Sequence, residues 1–263
     1  MTTCESEKVT PDVKVEFSEI SITENTGGLV PLSASVSFTT NTPTRITFSI
    51  LSGSSPLRKE FSEFNTEHEI PILGLYPDQL NQVIIEVQNE SGTSEREVVE
   101  IQTDPLPEFM PNISIIQKNP SQMGDGWNII MQIVGLGAPN LVTIPTMFDH
   151  DGNVRWYLDL REINEIFPVG PVEPLRNGNL LFAVNNTVFE YDMMGFEKNT
   201  WSMPTNYFYH HEMVEKPDGN FIVAVYDLNS SKIEDIAIKI DRNTSELVSR
   251  WDLREILDNG TTS

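Results

Sequence analysis

"PLRNGNLLFAV" at residues 174–184 and "EKPDGNFIVAV" at residues 215–225 align position for position, and their central glycines, Gly178 and Gly219, lie 41 residues apart. Asn-Gly or Asp-Gly ahead of an apolar β-forming run is the strongest short-range hairpin signal, because the turn needs residues that tolerate positive φ. A tryptophan recurs in the same frame. "DHDGNVRWYLDL", "YDMMGFEKNTW" and "IDRNTSELVSRW" carry Trp156, Trp201 and Trp251, separated by 45 and 50 residues. A repeat of about 40–50 residues with such turns is the signature of propeller blades. Each unit reads as a turn, a strand such as "NLLFAV", a hairpin, a strand carrying "FEYD" or "IKID", a turn, and a strand ending in Trp. Residues 112–263 hold about three such units, whereas propellers close with about four to eight blades. The expectation is an incomplete propeller, its first two to three blades, truncated from a longer protein unless partner copies complete the ring.

Upstream the pattern changes. "VKVEFSEISI", "SASVSFTT", "TRITFSIL", "HEIPILGL", "QVIIEVQ" and "EREVVEIQ" alternate apolar and polar residues, with "TGG", "NTPT", "SGSSP", "YPDQ" and "NESGTS" between them as turns. Short strands at this spacing predict an immunoglobulin- or fibronectin-like β-sandwich. The fold class is therefore all-β. The segment "TDPLPEFMP" at 103–111 carries three prolines and reads as the connection between regions, since proline fixes φ and extends the residue before it. The organisation expected is a tether over 1–10, the sandwich over 11–104, a linker over 105–111 and blades over 112–263.

Charge and cysteine content narrow the partners. With 39 acidic against 17 basic residues the net charge is −22, which repels phosphate backbones and excludes nucleic acid as the expected partner. The single cysteine, Cys4, rules out an internal disulfide and a cysteine-based zinc site. It sits in "MTTCESEKVTPDV", ahead of a polar, acidic stretch, like the start of a bacterial lipoprotein after signal cleavage; an ordinary thiol in a tail is the alternative. No apolar run of about 18 residues is present, so a membrane is met only through such a lipid anchor.

Four histidines occur in the chain, and two are adjacent, His210 and His211 in "NYFYHHEMVEKPDGN". Imidazole can take a proton from a hydroxyl group, give one to a departing oxyanion, or act as a nucleophile in group transfer. On a regular strand the two side chains point to opposite faces, so they should not share one site. Alternation alone does not say which of them meets a substrate, and a structural hydrogen bond to a turn is the competing use. Tyr207 and Tyr209 are the candidates for lining a substrate site, with core packing as the alternative. His150 belongs to a turn that superficially resembles a calcium loop, but Leu160 stands where the bidentate acid is needed, so no metal is expected. His68 lies among sandwich strands without evident chemical partners, and Arg155 reads as a surface arginine stacked on tryptophan.

Taken in order, "ENTGGLVPLSASVSF", "DPLPEFMPNISI", "FDHDGNVRWYLDL" and "HHEMVEKPDGNFIVAVYD" resemble the bacterial arylsulfate sulfotransferases over nearly the whole chain. The resemblance implies an exported, periplasmic propeller enzyme with an N-terminal sandwich. Such enzymes move a sulfuryl group from a phenolic sulfate ester to another phenol, by ping-pong transfer through a sulfated histidine and without a cofactor. Of the family's active-site set only the first histidine has a matching position here, in the pair His210 and His211, and the motif match favours His211. The sulfated histidine, the other histidine and the arginine would come from later blades, so residues 1–263 alone are expected to be inactive. Glu212 stands where Asp is commoner in the family. The competing expectation is a non-enzymatic surface or periplasmic binding protein on the same fold, with homo-oligomer formation open in either case.

Overall fold

The computed structural model describes residues 14–51, 57–124, 126–135, 141–161, 172–229, 236–253 and 255. Cys4 lies outside the described residues. The chain divides into two compact units, one of residues up to Thr26 together with Leu32–Leu106, the other of Gly27–Pro31 together with the chain from Pro107 onward.

The first unit is one bent antiparallel sheet of five strands, β1 (Ser21–Glu24), β2 (Ser33–Ile50), β3 (Leu57–Leu73), β4 (Leu80–Asn89) and β5 (Ser94–Gln102). Its pairing explains the bend. The first half of β2 lies between β1 and the second half of β3, while its second half lies between β4 and the first half of β3. Side chains on both halves are fully buried, Val36 and Ile72 on one, Val83 and Ile85 on the other, as in a sandwich core. The alternating pattern predicts separate strands with "NTPT" as a turn, and here the structure differs. The strand runs straight through, and the register slips between Thr39 and Thr44. Pro43 has no N–H to give to a ladder, which makes this the point where β2 bends. His68 fills the bend. Buried among strands, it is not partnerless, for its Nε2 lies 3.0 Å from Thr44 Oγ1 and 3.3 Å from Thr40 Oγ1.

The second unit holds three meandering antiparallel sheets. The first has three strands, β6 (Asn128–Gly135), β7 (Leu141–Phe148) and β8 (Val154–Tyr157). The second has four, β9 (Glu173–Pro174), β10 (Leu180–Val184), β11 (Thr187–Tyr191) and β12 (Glu197–Ser202). The third has β13 (Tyr207–Glu215), β14 (Phe221–Asp227), β15 (Ile236–Ile240) and β16 (Leu247–Asp252). These sheets are propeller blades, and the repeated motifs are their hinges. At each Asn-Gly or Asp-Gly turn the glycine takes positive φ, 87° at Gly178 and 81° at Gly219. Its N–H closes the turn on Leu175 or Lys216.

The recurrent tryptophans join one sheet to the next. Trp156 on β8 donates its indole N–H to the carbonyl of Met193 in the β11–β12 turn at 2.9 Å, and Trp201 on β12 repeats the bond to Arg242 in the β15–β16 turn at 2.6 Å. A charged lock runs beside the second bond. Glu190 on β11 is buried yet accepts from Asn177, Asn179 and Asn199, and Arg242 reaches it at 2.6 Å. Arg242 also pairs with Glu215 at 2.9 Å and lies over the Trp201 and Phe221 rings. Burial alone would push the Glu190 carboxyl up, but the four hydrogen bonds outweigh it and hold it below the ordinary range.

Arg155 corrects its sequence reading. It does stack on tryptophan, 5.0 Å above the Trp127 ring, but it is 1 % exposed and pairs with Asp149 at 3.0 Å. Asp149 meanwhile caps its own turn by accepting from the N–H groups of Asp151 and Asn153. The "DHDGN" carboxylate therefore serves the turn and the buried arginine. Half-buried His150 occupies the same turn.

Candidate functional site

The histidine pair lies on β13, the first strand of the third sheet, which adjoins β9 and β10 of the second. The Tyr209 N–H donates to the Asn185 carbonyl at 2.8 Å, tying this strand to the β10–β11 turn. Regular pairing with β14 holds from Tyr207 opposite Asp227 to Tyr209 opposite Val225, and resumes with Met213 opposite Val223. Residues 210–212 thus face Ala224 alone, a bulge with two extra residues.

The bulge overturns the expectation that the two imidazoles point apart. Strict alternation would send His211 to the face of Tyr209 and Met213, the face buried with Val223 and Val225. Instead His211 adopts φ 57°, in the left-handed region that side chains rarely take. Its ring stands edge-on to His210, with centroids 5.3 Å apart and planes at 81°. His211 is exposed. His210 is half-buried, both ring nitrogens are shielded from water, and its ring lies 4.4 Å from the ring of Tyr226.

The tyrosines divide. Tyr209 is half-buried beneath the bulge and donates its hydroxyl to the His211 carbonyl at 3.0 Å. Burial, followed by the negative charge of Glu212, pushes that hydroxyl well above the usual tyrosine range, so it remains a donor. Tyr207 is 6 % exposed, in the sheet core opposite Asp227. Alternation did not single out Tyr226, although its position opposite Phe208 places it on the His210 face.

Acids border the pair. Burial first, then the charges of Glu212 and Glu215, push the Glu173 carboxyl up. Glu215 accepts the Arg176 main-chain N–H at 3.0 Å as well as the Arg242 guanidinium. Among the described residues no cluster of three or more His, Cys, Asp or Glu side chains is arranged to hold a metal. The site offers two adjoining imidazoles, one open to solvent, held on a bulge beside carboxylates and aromatic rings.

A five-stranded sandwich-like unit is followed in the chain by propeller blades, the third of which carries the histidine pair on its first strand. Residues 113–262 match the family described as Arylsulfotransferase (ASST), and residues 21–104 match the Arylsulfotransferase Ig-like domain. The chain belongs to the arylsulfotransferase family. No curated protein matches it.

Proposed function

We propose that the protein takes part in sulfuryl transfer from a phenolic sulfate ester to a phenol, with His211 at the reacting centre and His210 beside it. The observation that supports this most is the pair of imidazole rings 5.3 Å apart, brought together by a bulge within the residues that match the family. In the first half-reaction the sulfur–oxygen bond of the ester breaks as a histidine nitrogen bonds to sulfur, and the phenolate leaves. In the second, the acceptor phenol loses its proton and its oxygen displaces the histidine. An imidazolium at His211 offsets charge on the sulfuryl oxygens and returns a proton to the leaving phenolate, while a neutral His211 accepts the proton of the acceptor. The nucleophilic histidine in this reading is neither His210 nor His211, and residues 1–263 by themselves are expected to turn over no ester. Export, with a lipid on Cys4, suits this chemistry, and assembly of copies is compatible with it.

The test incubates residues 1–263 and the longest reading frame containing them with 4-nitrophenyl sulfate, with and without phenol. Phenol-dependent nitrophenolate release by the longer protein, absent from residues 1–263 and abolished by His211→Ala, is the expected result. Release unaffected by His211→Ala contradicts it.

A further inference from the structure

We propose that Tyr209 is a positioning residue: its hydroxyl holds the β13 bulge in which His211 is left-handed and its ring adjoins His210. The role rests on the sulfuryl-transfer reading above, while the geometry it explains does not depend on it.

A φ of 57° at a non-glycine residue disfavours the backbone conformation, and something must offset that cost. The register also shifts between the Tyr209–Val225 and Met213–Val223 pairs, so that residues 210–212 stand opposite Ala224 alone. The Tyr209 side chain leaves β13 on the buried face, two residues before His211, and its hydroxyl meets the carbonyl of the strained residue itself at 3.0 Å. That bond ties the tyrosine side chain to the main chain of the bulge. It also discriminates between conformers, because a His211 returned to regular strand geometry would turn its carbonyl away and its ring toward Met213. The ring of Tyr226 provides the second support, on the opposite face, by packing against His210 at 4.4 Å. Tyr209 sets the backbone and Tyr226 sets the ring, so the tyrosine expected from sequence to touch a phenol instead places the histidine that does.

Tyr209→Phe removes only the oxygen. In the histidine-labelled protein, the expected result is loss of the nuclear Overhauser contact between the His210 and His211 rings, while the indole N–H signals of Trp156 and Trp201 stay in place. Retention of that contact overturns the proposal. Should Tyr209→Phe fail to fold, Tyr209→Phe/His211→Gly decides, since glycine adopts positive φ without help. Recovery of the fold supports the assignment, and failure to recover overturns it. In a transfer-competent longer protein, the same Phe variant is expected to lower kcat about tenfold or more with KM unchanged, as for a displaced catalytic group. An unchanged kcat overturns the positioning role. Loss of the ring contact in Tyr209→Phe, alongside a folded longer reading frame that transfers no sulfuryl group, would overturn the proposed function and leave the Tyr209 assignment standing.

Discussion

Trp201 donates its indole N–H to the main-chain carbonyl of Arg242 at 2.6 Å, and Trp156 makes the equivalent bond to Met193 at 2.9 Å. Both tryptophans are buried and both acceptors sit in a turn of the following sheet. The period of 45 residues between them is therefore the period of a sheet-to-sheet bond. Trp201→Phe keeps an aromatic ring but leaves that carbonyl without its donor, which costs about 1–3 kcal/mol. Trp251→Phe, at a position 37 % exposed, is expected to change stability by less than about 0.5 kcal/mol. Urea unfolding of the two variants compares them directly.

Glu190 carries the second prediction. Replacing it with Gln removes the carboxylate that Arg242 and three asparagines converge on, at a cost of about 3 kcal/mol at neutral pH. Its folded-state pKa is depressed, so its contribution is complete above the ordinary glutamate value of about 4.3 and is lost as pH falls through the lower folded value. The difference between wild type and Glu190→Gln should shrink only on acidification below that point. A difference already gone at neutral pH would contradict the assignment.

His68 should make the first unit sensitive to mild acid. Burial lowers its pKa, and a smaller opposing effect comes from its hydrogen bond to the Asn65 backbone. The fold thus favours neutral imidazole. Its stabilisation is present above the unfolded value of about 6.5 and declines as pH falls through the folded one. All four tryptophans lie in the second unit, so tryptophan fluorescence reports that unit separately. Between neutral and mildly acidic pH, the melting seen by circular dichroism should move down more than that seen by fluorescence, and His68→Gln should remove the extra shift.

Gly27 tests the assignment of Gly27–Pro31 to the second unit. A Cβ there would overlap the Met194 carbonyl, a main-chain atom that cannot swing aside as a side chain would. Asp159 binds the Leu29 carbonyl at 2.8 Å and Val30 is fully buried, so the segment cannot retreat without breaking both. Gly27→Ala is expected to cost about 1–3 kcal/mol, whereas Gly28→Ala meets no neighbouring atom and costs only its positive φ. Fluorescence-detected unfolding of the pair separates steric overlap from backbone preference.

The blades were legible because their markers are local. Gly178 and Gly219 announce hairpins from their own neighbours, and the tryptophans keep a period that survives without a structure. The site was less legible. Alternation is a rule for regular strands, and nothing in "YHHEM" reports that His211 takes positive φ or that two residues fall out of the ladder. Glu190 and Arg242 meet across 52 residues, so neither one's neighbours reveal the pair. Pro43 was visible, but a proline between apolar runs is compatible with a turn or a bend, and only the structure shows β2 running on past it with a shifted register against β3.

The central claim is that the His210–His211 pair serves sulfuryl transfer between phenols. The most direct measurement follows phenol-dependent nitrophenolate release from 4-nitrophenyl sulfate by the longest reading frame containing this chain, with its His211→Ala variant alongside. The expected release requires phenol and falls by about 100-fold or more in the variant. Equal release by both proteins, or none from a folded wild type across a panel of aryl sulfates, would contradict it.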